Sequence, residues 1–323
     1  MTLKDSYKKY LKYRPPFPFS GAYTSTILSK LRIPLHRSRI KHLISKSRRE
    51  IFTSKKGFKL SLYINDNDNF KKTLFVLPGY LSHHNTSYMQ TALEEFYKAG
   101  WNVIRINPID HGDSLSLNKE VFHAHHHKIV AECIDQYSSD DDLEYSLLGF
   151  SFGGNFAIRI GALEVGRKLQ RVVGICPMVD HDYSLASMKS SFFKWYYRNK
   201  WLKTFKYKNN NWEDFDYSQF YRIKDFKEVT ARLLPNILPE YKNISDYFKS
   251  YKITSEIITL SNSKISIIAA KNDPVVPIST FSSLKHLQGL NLIITDFGGH
   301  NGFIENYRFD DYSIKIAMEE LMT

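Results

Sequence analysis

The feature that most constrains the fold of this chain is a Gly-x-Ser-x-Gly pentapeptide, Gly149-Phe150-Ser151-Phe152-Gly153. It stands between an apolar run, Tyr145 to Leu148, and a helix-compatible segment, Asn155 to Leu163. A serine in a sharp turn between a strand and a helix is typical of a nucleophile elbow. The glycines let strand and helix approach closely, and the helix N-terminus favours developing negative charge. The pattern predicts that the Ser151 hydroxyl projects from the turn as a nucleophile.

Short apolar runs alternate with helix-compatible segments on both sides of this turn. The runs are Thr73–Leu77, Val103–Ile106, Leu143–Leu148, Val172–Cys176, Ile265–Ala270 and Leu292–Thr295, and the helical segments are Thr86–Ala99, Val121–Tyr137, about Ser279–Leu287 and about Tyr312–Met322. Phe58–Ile64 alternates apolar and polar residues, as a half-buried strand does. The other runs lack this alternation, which predicts a mostly parallel central sheet flanked by helices. Ligands of such sheets bind beyond the carboxyl ends of the strands.

The composition changes between residues 181 and 252. Residues 192–251 contain 18 aromatic residues, or 30%, against 15% for the whole chain. We expect a helical, aromatic-rich cap at 181–252, inserted after the sixth strand of a core formed by 58–180 and 253–323. Such an insertion can roof a site and exclude water, although its aromatic residues could also build only its own core. Trp195 in the cap and Phe150 beside the nucleophile are the candidate substrate-binding residues.

Positive charge is concentrated at the start of the chain. Residues 1–60 have a net charge of +14, whereas the whole chain has +12. We expect residues 1–57 to form a basic segment packed on the core. Residues 35–46 could form a basic amphipathic helix that contacts an anionic membrane surface. The alternative is a helix packed on the catalytic body with its charges in water.

Several classes of protein are disfavoured by what the sequence lacks. The two cysteines, Cys133 and Cys176, set no disulfide framework and no zinc spacing, which fits a reducing compartment. Neither a secretory signal nor a run of ~18 apolar residues is present, so we expect a cytoplasmic protein, with or without peripheral membrane contact. The glycines of the turn do not follow the Gly-x-Gly-x-x-Gly pattern of dinucleotide-binding proteins, which disfavours a dinucleotide-dependent oxidoreductase. Outside the N-terminal segment, the sequence has no combination of aromatic and basic residues of the kind that binds nucleic acid, so nucleic acid is not expected as a substrate.

A serine nucleophile needs a base, usually a histidine that is held by a carboxylate. Asp273 and His300 follow the serine in the order Ser, Asp, His, and each lies just past a predicted strand. We therefore expect the three side chains to meet at one edge of the sheet. Asp180 and Asp182, just past an earlier strand, are the alternative acids.

A tetrahedral intermediate needs two hydrogen-bond donors aimed at its oxygen. The expected donors are the backbone N–H groups of Phe152, directly after the nucleophile, and of Tyr80, in the loop Pro78-Gly79-Tyr80-Leu81. No metal site is predicted. A dense histidine group within a helical segment is interpreted as a surface or packing feature, because no carboxylate or cysteine completes a ligand spacing. It comprises His123, His125, His126 and His127.

Together these motifs resemble the α/β-hydrolase superfamily and, over nearly the whole chain, its YheT-like branch. Further matching segments are Arg14-Pro15-Pro16-Phe17 with the short helix at Ala22–Leu31, Arg48-Arg49-Glu50 before the first strand, Asp110–Ser114, Asp225–Ala231, Asp246-Tyr247-Phe248 and Gly299-His300. The resemblance implies a serine hydrolase that acts on acyl esters or similar lipids without a metal or organic cofactor. The acid loop departs from the branch, since it reads Asn272-Asp273-Pro274 where the branch has Asp-Asp-Pro.

The sequence thus predicts a carboxylesterase or lipase-like enzyme in which Ser151 attacks, His300 transfers the proton and Asp273 orients His300. The same residues would serve a thioester, an amide or acyl transfer to an acceptor other than water. A different alternative is a non-catalytic scaffold that binds a partner or an anionic membrane through residues 1–60. The complete triad argues against that alternative.

Overall fold

The computed structural model describes residues 10, 12–30, 34–67, 71–213 and 215–322, with the backbone alone for 34–39. One eight-stranded sheet forms its centre. The strands are β1 (Arg48–Thr53), β2 (Lys59–Asn65), β3 (Lys72–Leu77), β4 (Asn102–Asn107), β5 (Glu144–Phe150), β6 (Leu169–Ile175), β7 (Lys264–Ala270) and β8 (Leu290–Thr295). Their order is β1-β2-β4-β3-β5-β6-β7-β8. β2 is antiparallel to β1 and β4, and the remaining pairs are parallel.

Helices lie before, between and after the strands. They are α1 (Ala22–Leu28), α2 (Pro34–Ser45), α3 (Ser87–Lys98), α4 (His127–Tyr137), α5 (Phe152–Gly161), α6 (His181–Ser187), α7 (Ser191–Asn211), α8 (Phe226–Ile237), α9 (Ile244–Ser250), α10 (Ser255–Thr259) and α11 (Tyr312–Met322). Short 3₁₀ helices occupy Gly112–Ser116, Ala124–His126, Glu164–Lys168, Ser218–Phe220 and Ile278–Leu284. Within the described ranges, no helix combines the length and the apolar character that a bilayer span requires.

The central strands are buried on both faces. In β3, Phe75 and Leu77 pack into a core with residues of α4 and α5, whereas Leu74 and Val76 pack into a second core with residues of α3 and α11. Both faces of β3 therefore meet apolar neighbours, which explains why this run shows no apolar–polar alternation. The predicted mostly parallel sheet between helices is confirmed.

Two local expectations were wrong. Arg48-Arg49-Glu50 was expected before the first strand, but these residues begin β1, an antiparallel edge strand. The strand escaped notice because three charged residues at an exposed edge hide its pattern. The helix expected at Val121–Tyr137 begins as α-helix only at His127, since the preceding residues form a loop and a 3₁₀ turn.

Helices α6 to α9 lie between β6 and β7, where the cap was expected after the sixth strand. Many of the cap's aromatic side chains pack on one another. Trp201, Phe205, Tyr217 and Phe220 are buried in a cluster that consists of cap residues except for Val121 of the core. The aromatic enrichment therefore reflects, in large part, the need of a small helical layer to build a core with few residues.

The described part of the N-terminal segment packs on the core. Ile40 of α2 is fully buried, and Leu43 and Ile44 pack against the core on the α3 side of the sheet. Lys41 and Lys46 are exposed to water. Leu35, part of the same expected amphipathic face, lies outside the described side chains. The described apolar residues of α2 thus contact protein.

A buried ion pair joins the cap to the core. Lys208, near the end of α7, has no exposed surface, and its Nζ lies 2.7 Å from Asp110 Oδ1. The same ammonium group donates to the carbonyl oxygens of Asn118 and Glu120. The second carboxylate oxygen of Asp110 accepts from the Phe122 N–H at 2.7 Å. Asp110 is thus ion-paired through Oδ1 and hydrogen-bonded through Oδ2, and the ammonium group has two carbonyl partners besides, which favours a stable buried pair.

Replacing Lys208 by methionine is expected to lower the free energy of unfolding by about 3–5 kcal/mol, because it leaves the buried Asp110 carboxylate without its counter-charge. The measurement is urea denaturation followed by circular dichroism. The double variant Lys208→Met/Asp110→Asn should recover part of the loss. Lys206→Met, at an exposed position of the same helix, is the matched control. A loss for Lys208→Met no larger than for Lys206→Met would contradict the expectation.

Candidate active site

The turn between β5 and α5 holds Ser151 in a backbone conformation that residues with a Cβ rarely adopt, with φ 53° and ψ −116°. A Cβ on Gly149 would lie 2.1 Å from the carbonyl oxygen of Gly153, and a Cβ on Gly153 would lie 2.4 Å from that of Pro78. Glycine is therefore required at both positions. The Ser151 N–H donates to the Ile175 carbonyl at 2.9 Å. The surrounding packing thus maintains a strained turn of the kind found at functional sites.

The structure brings the three predicted catalytic side chains together. His300 Nε2 lies 2.8 Å from Ser151 Oγ, and His300 Nδ1 lies 2.8 Å from Asp273 Oδ2. The other carboxylate oxygen accepts from the N–H groups of Val275 and Val276, at 2.7 and 2.9 Å. A carboxylate only accepts, so Nδ1 carries the imidazole proton and Nε2 accepts from the serine hydroxyl. This arrangement can remove the proton of the serine.

The loop that carries His300 is held by residues that sequence reasoning missed. Thr26 Oγ1, on α1, accepts from the His300 N–H at 2.8 Å. Asn272 Oδ1 accepts from the Gly299 N–H at 2.9 Å, while its amide nitrogen donates to the Ser20 carbonyl at 3.1 Å. Asparagine uses one donor and one acceptor here, which an aspartate could not do. The departure from the Asp-Asp-Pro pattern therefore has a structural role, whereas nothing in the sequence marked Thr26.

Cys176 lies beside Asp273 and His300. It has a positive φ of 43°, and its Sγ donates to the Gly299 carbonyl at 3.7 Å. Burial, and next the nearby charge of Asp273, raises the pKa of the thiol well above its ordinary value. The thiol is therefore neutral and unreactive. Among the described residues, Cys176, Asp273 and His300 are the one group whose possible metal-ligand atoms all lie within 4.8 Å of one another.

The loop after β3 is anchored on both sides of Tyr80. The Gly79 N–H donates to the Tyr88 hydroxyl at 3.1 Å, and the Leu81 N–H donates to His111 Nε2 at 2.9 Å. Burial lowers the pKa of His111 to about 3, so the ring stays neutral and accepts. The peptide groups next to Tyr80 are therefore fixed in orientation.

This loop passes directly over the nucleophile. A Cβ on Gly79 would lie 3.2 Å from the Ser151 Cβ. In the described part of the chain, the N–H groups of Tyr80 and Phe152 find no acceptor. Phe152 is the first residue of α5, where N–H groups have no partner within the helix. Two free donors thus belong to the peptide units around Ser151, and their role as oxyanion donors stays a prediction.

Ser151 opens on two cavities. The first has a volume of about 620 Å³, and its lining includes Tyr80, His300, Lys30 and Lys200. The second has a volume of about 300 Å³, and the apolar residues of its lining include Phe152, Met178, Met188, Phe226 and Val275. A substrate could therefore extend to both sides of its reacting carbon.

The structure does not bring the two predicted substrate-binding residues to either cavity. Phe150 has no exposed surface, because it points from β5 into the opposite core, where its ring lies 4.5 Å from that of Tyr88. Trp195 is 57% exposed and contacts Phe192 on the outer side of α7. Both expectations were wrong, because proximity along the chain does not set the direction of a side chain.

Other aromatic residues of the cap line the second cavity. Tyr197 and Trp201 lie four residues apart on α7, on one face, and Phe226 begins α8. Trp195 lies roughly 200° around the same helix from Tyr197, since each residue turns about 100°. Helical spacing was therefore the signal that could have separated lining residues from exposed ones.

The alternative acids are engaged elsewhere. Asp180 accepts from the Tyr183 N–H at 3.0 Å as the N-cap of α6 and lies 2.6 Å from Lys252 Nζ. Asp182 pairs with Lys227 of the cap. Asp273 is the carboxylate that contacts His300.

The dense histidine group packs in the interior. His126 Nδ1 accepts from the His123 N–H at 3.2 Å, His127 Nδ1 donates to the Ala124 carbonyl at 3.2 Å, and His125 Nε2 lies 2.8 Å from the Tyr241 hydroxyl. Burial lowers the pKa of His126 and of His127 well below the ordinary value. Both rings are therefore neutral in the folded protein.

These two histidines predict a loss of stability in mild acid. The unfolded chain binds their protons near pH 6.5, whereas the folded protein does not, so stability falls as the pH falls below 6.5. Each is expected to contribute about 1.4 kcal/mol of loss per pH unit. Urea unfolding at several pH values below and above 6.5 measures the slope. His126→Gln should reduce it, and His286→Asn, at an exposed position with positive φ, should not. A flat profile would contradict the prediction.

Comparison with known proteins identifies the fold. No protein-family model matches the chain, and no curated protein sequence matches it. Solved structures do. The esterase Pf2001 of Pyrococcus furiosus is 20% identical over 90% of this chain and 93% of its own, with a TM-score of 0.55. The hydrolase GrgF of Penicillium sp. sh18 is 14% identical over 85% and 97%, with a TM-score of 0.57. Est1E of Butyrivibrio proteoclasticus, solved with ferulic acid, is 13% identical over 84% and 96%, with a TM-score of 0.51.

The protein therefore has the α/β-hydrolase fold, as its motifs predicted. The mixed eight-stranded sheet and its flanking helices are shared with these esterases and hydrolases. Resemblance to the YheT-like branch stays a prediction from the motifs, as do the boundaries between core, cap and N-terminal segment.

Proposed function

We propose that this protein is a serine hydrolase that cleaves carboxylic esters through an acyl-enzyme. The observation that carries the proposal is the hydrogen-bonded series from Asp273 through His300 to Ser151, at the junction of two cavities. Esterases among the solved structures of this fold, Pf2001 and Est1E, support the same reaction class.

In the acylation step, Ser151 Oγ attacks the ester carbonyl carbon while His300 Nε2 accepts the hydroxyl proton. The carboxylate of Asp273 stabilises the imidazolium that forms. The N–H groups of Tyr80 and Phe152 donate to the oxyanion of the tetrahedral intermediate. Collapse breaks the bond to the alkoxy oxygen, and the alcohol leaves with the proton from His300.

In the deacylation step, water takes the place of the alcohol. His300 accepts a proton from the water as its oxygen bonds to the acyl carbon. The second tetrahedral intermediate collapses, the bond to Ser151 Oγ breaks, and the proton returns to Oγ. The net reaction converts ester and water into acid and alcohol, and it regenerates the serine hydroxyl.

Labelling with a fluorophosphonate probe, together with a p-nitrophenyl ester series of increasing acyl length, tests this proposal. We expect one label per chain on the peptide that contains Ser151, and turnover of at least one ester. Matched thioester and anilide substrates distinguish the alternative bonds, since the same triad serves all three. Faster cleavage of the thioester would favour that alternative. Absence of both labelling and turnover would contradict the proposal and favour a non-catalytic scaffold.

A further inference from the structure

The larger cavity beside Ser151 is lined by positive charge without a compensating carboxylate. Lys30 after α1, Lys41 of α2 and Lys200 of α7 all line it, and none of its described lining residues is an aspartate or a glutamate. Three separate segments of the chain therefore contribute an ammonium group to one space. A cavity with this lining attracts anions and concentrates the electrostatic field.

Two of these lysines flank the same aromatic ring. Lys30 Nζ lies 3.9 Å from the centre of the Tyr196 ring, and Lys200 Nζ lies 5.2 Å from it. Among the described residues, no carboxylate comes within ion-pair distance of either ammonium group. Two like charges near one ring repel each other, and the ring face offsets only part of that repulsion. An anion between or beside the two ammonium groups would compensate their positive charge.

Lys200 also lies next to the expected oxyanion donors. Its Nζ donates to the carbonyl oxygens of Tyr80 and Leu81, at 3.1 and 3.0 Å. An ammonium group has three protons, so one donor of Lys200 remains available after these two bonds. Burial, and next the charge of Lys30, lowers the pKa of Lys200 to about 7. A bound anion would restore the charged form.

The second cavity differs in character. Its lining includes the apolar residues Leu185, Met188 and Val275. It also carries charge, from Lys194, Lys224 and Asp225, which are exposed, and from Arg198, which donates to the carbonyl oxygens of Tyr221 and Ile223. Lys227 of its lining pairs with Asp182. The apolar residues of this space can hold an acyl chain. The two cavities meet at Ser151, so they can hold the two sides of one ester.

We propose that the physiological substrate is an ester whose alcohol portion bears an anionic group, a phosphate or carboxylate, that Lys30 and Lys200 bind, while the acyl chain lies against the apolar residues of the second cavity. This inference rests on the proposed ester hydrolysis and adds the chemical class of the substrate. A charge-assisted hydrogen bond is stronger than a neutral one, so binding by two lysines should discriminate clearly between charged and uncharged esters.

Two esters with the same acyl group and the same scissile bond test the inference. The butyryl ester of glycerol 3-phosphate is compared with monobutyrin, which lacks the phosphate. We expect kcat/KM to be at least about tenfold higher for the phosphorylated ester, as expected for one charge-assisted contact. The ratio should shrink as ionic strength rises towards about 1 M, where screening acts within roughly 3 Å. Long-chain acyl versions, presented in vesicles, distinguish a lipid-borne anion from a soluble one.

Variants of the two lysines test whether these residues cause the preference for the phosphorylated ester. Lys30→Gln and Lys200→Gln should each lower the ratio of the two kcat/KM values, and the double variant should bring it close to one. Lys206→Gln changes an exposed lysine of the same helix that lines neither cavity, and it should leave the ratio unchanged. The rate of fluorophosphonate labelling, measured for each variant, shows that Ser151 remains active.

The outcomes separate this inference from the proposed function. Cleavage of monobutyrin as fast as the phosphorylated ester would overturn the inference and leave ester hydrolysis standing. A preference for the anion that survives in the double variant would also overturn it, because other residues would then bind the anion. Failure of labelling and of all ester turnover would instead remove the proposed function.

Discussion

Ser151→Ala is expected to lower kcat for p-nitrophenyl ester hydrolysis by about 10⁴- to 10⁶-fold, because the variant has no oxygen to form the acyl-enzyme. His300→Ala should lower kcat by a similar factor, since the hydroxyl then lacks its base at 2.8 Å. The double variant should be no slower than either single variant. Residues that act as one unit are strongly non-additive, so this equality is the sharpest test of the pair.

Steady-state kinetics with an active-site titration measure these losses. His286→Asn, which removes an exposed histidine that lines neither cavity, is the control and should keep wild-type kcat. The prediction fails if the two single losses multiply in the double variant, or if Ser151→Ala retains substantial turnover.

Asp273→Asn is expected to lower kcat by about 10⁴-fold with little change in KM. The amide nitrogen would donate where the carboxylate now accepts, so His300 would present a protonated Nε2 to Ser151. That tautomer cannot accept the serine proton. Asp180→Asn should change kcat little, because Asp180 caps α6 and pairs with Lys252.

Comparing kcat and thermal stability of both variants decides the identity of the acid. Asp180→Asn is expected to lower the melting temperature through loss of the ion pair with Lys252, with its kinetics nearly intact. If Asp180→Asn lost more activity than Asp273→Asn, the assignment of Asp273 as the acid would be wrong.

The linear sequence was sufficient to predict the meeting of Ser151, Asp273 and His300. Each residue follows the carboxyl end of a buried strand, and parallel strands end at one edge of the sheet. The glycines Gly149 and Gly153 likewise predict a sharp turn at Ser151, because a residue with a Cβ does not fit at either position. The elbow and the triad therefore follow from local patterns combined with one topological rule.

Charged edge residues and loops were harder to predict. β1 was missed because Arg48, Arg49 and Glu50 face solvent at an edge, where no apolar pattern is needed. Phe150 and Trp195 were misassigned because each lies near the site along the chain, yet its side chain points elsewhere. A side chain's direction depends on which face of its strand or helix packs inward.

Contacts between distant segments were visible only once the chain was folded. Thr26 accepts a hydrogen bond from the His300 backbone, and Lys30 and Lys200 approach one ring from opposite halves of the chain. Local propensity and periodicity carry the information for strands, turns and their order. Which helix of the N-terminal segment or the cap covers the nucleophile, and with which charges, follows from packing between layers, and packing is a property of the assembled core.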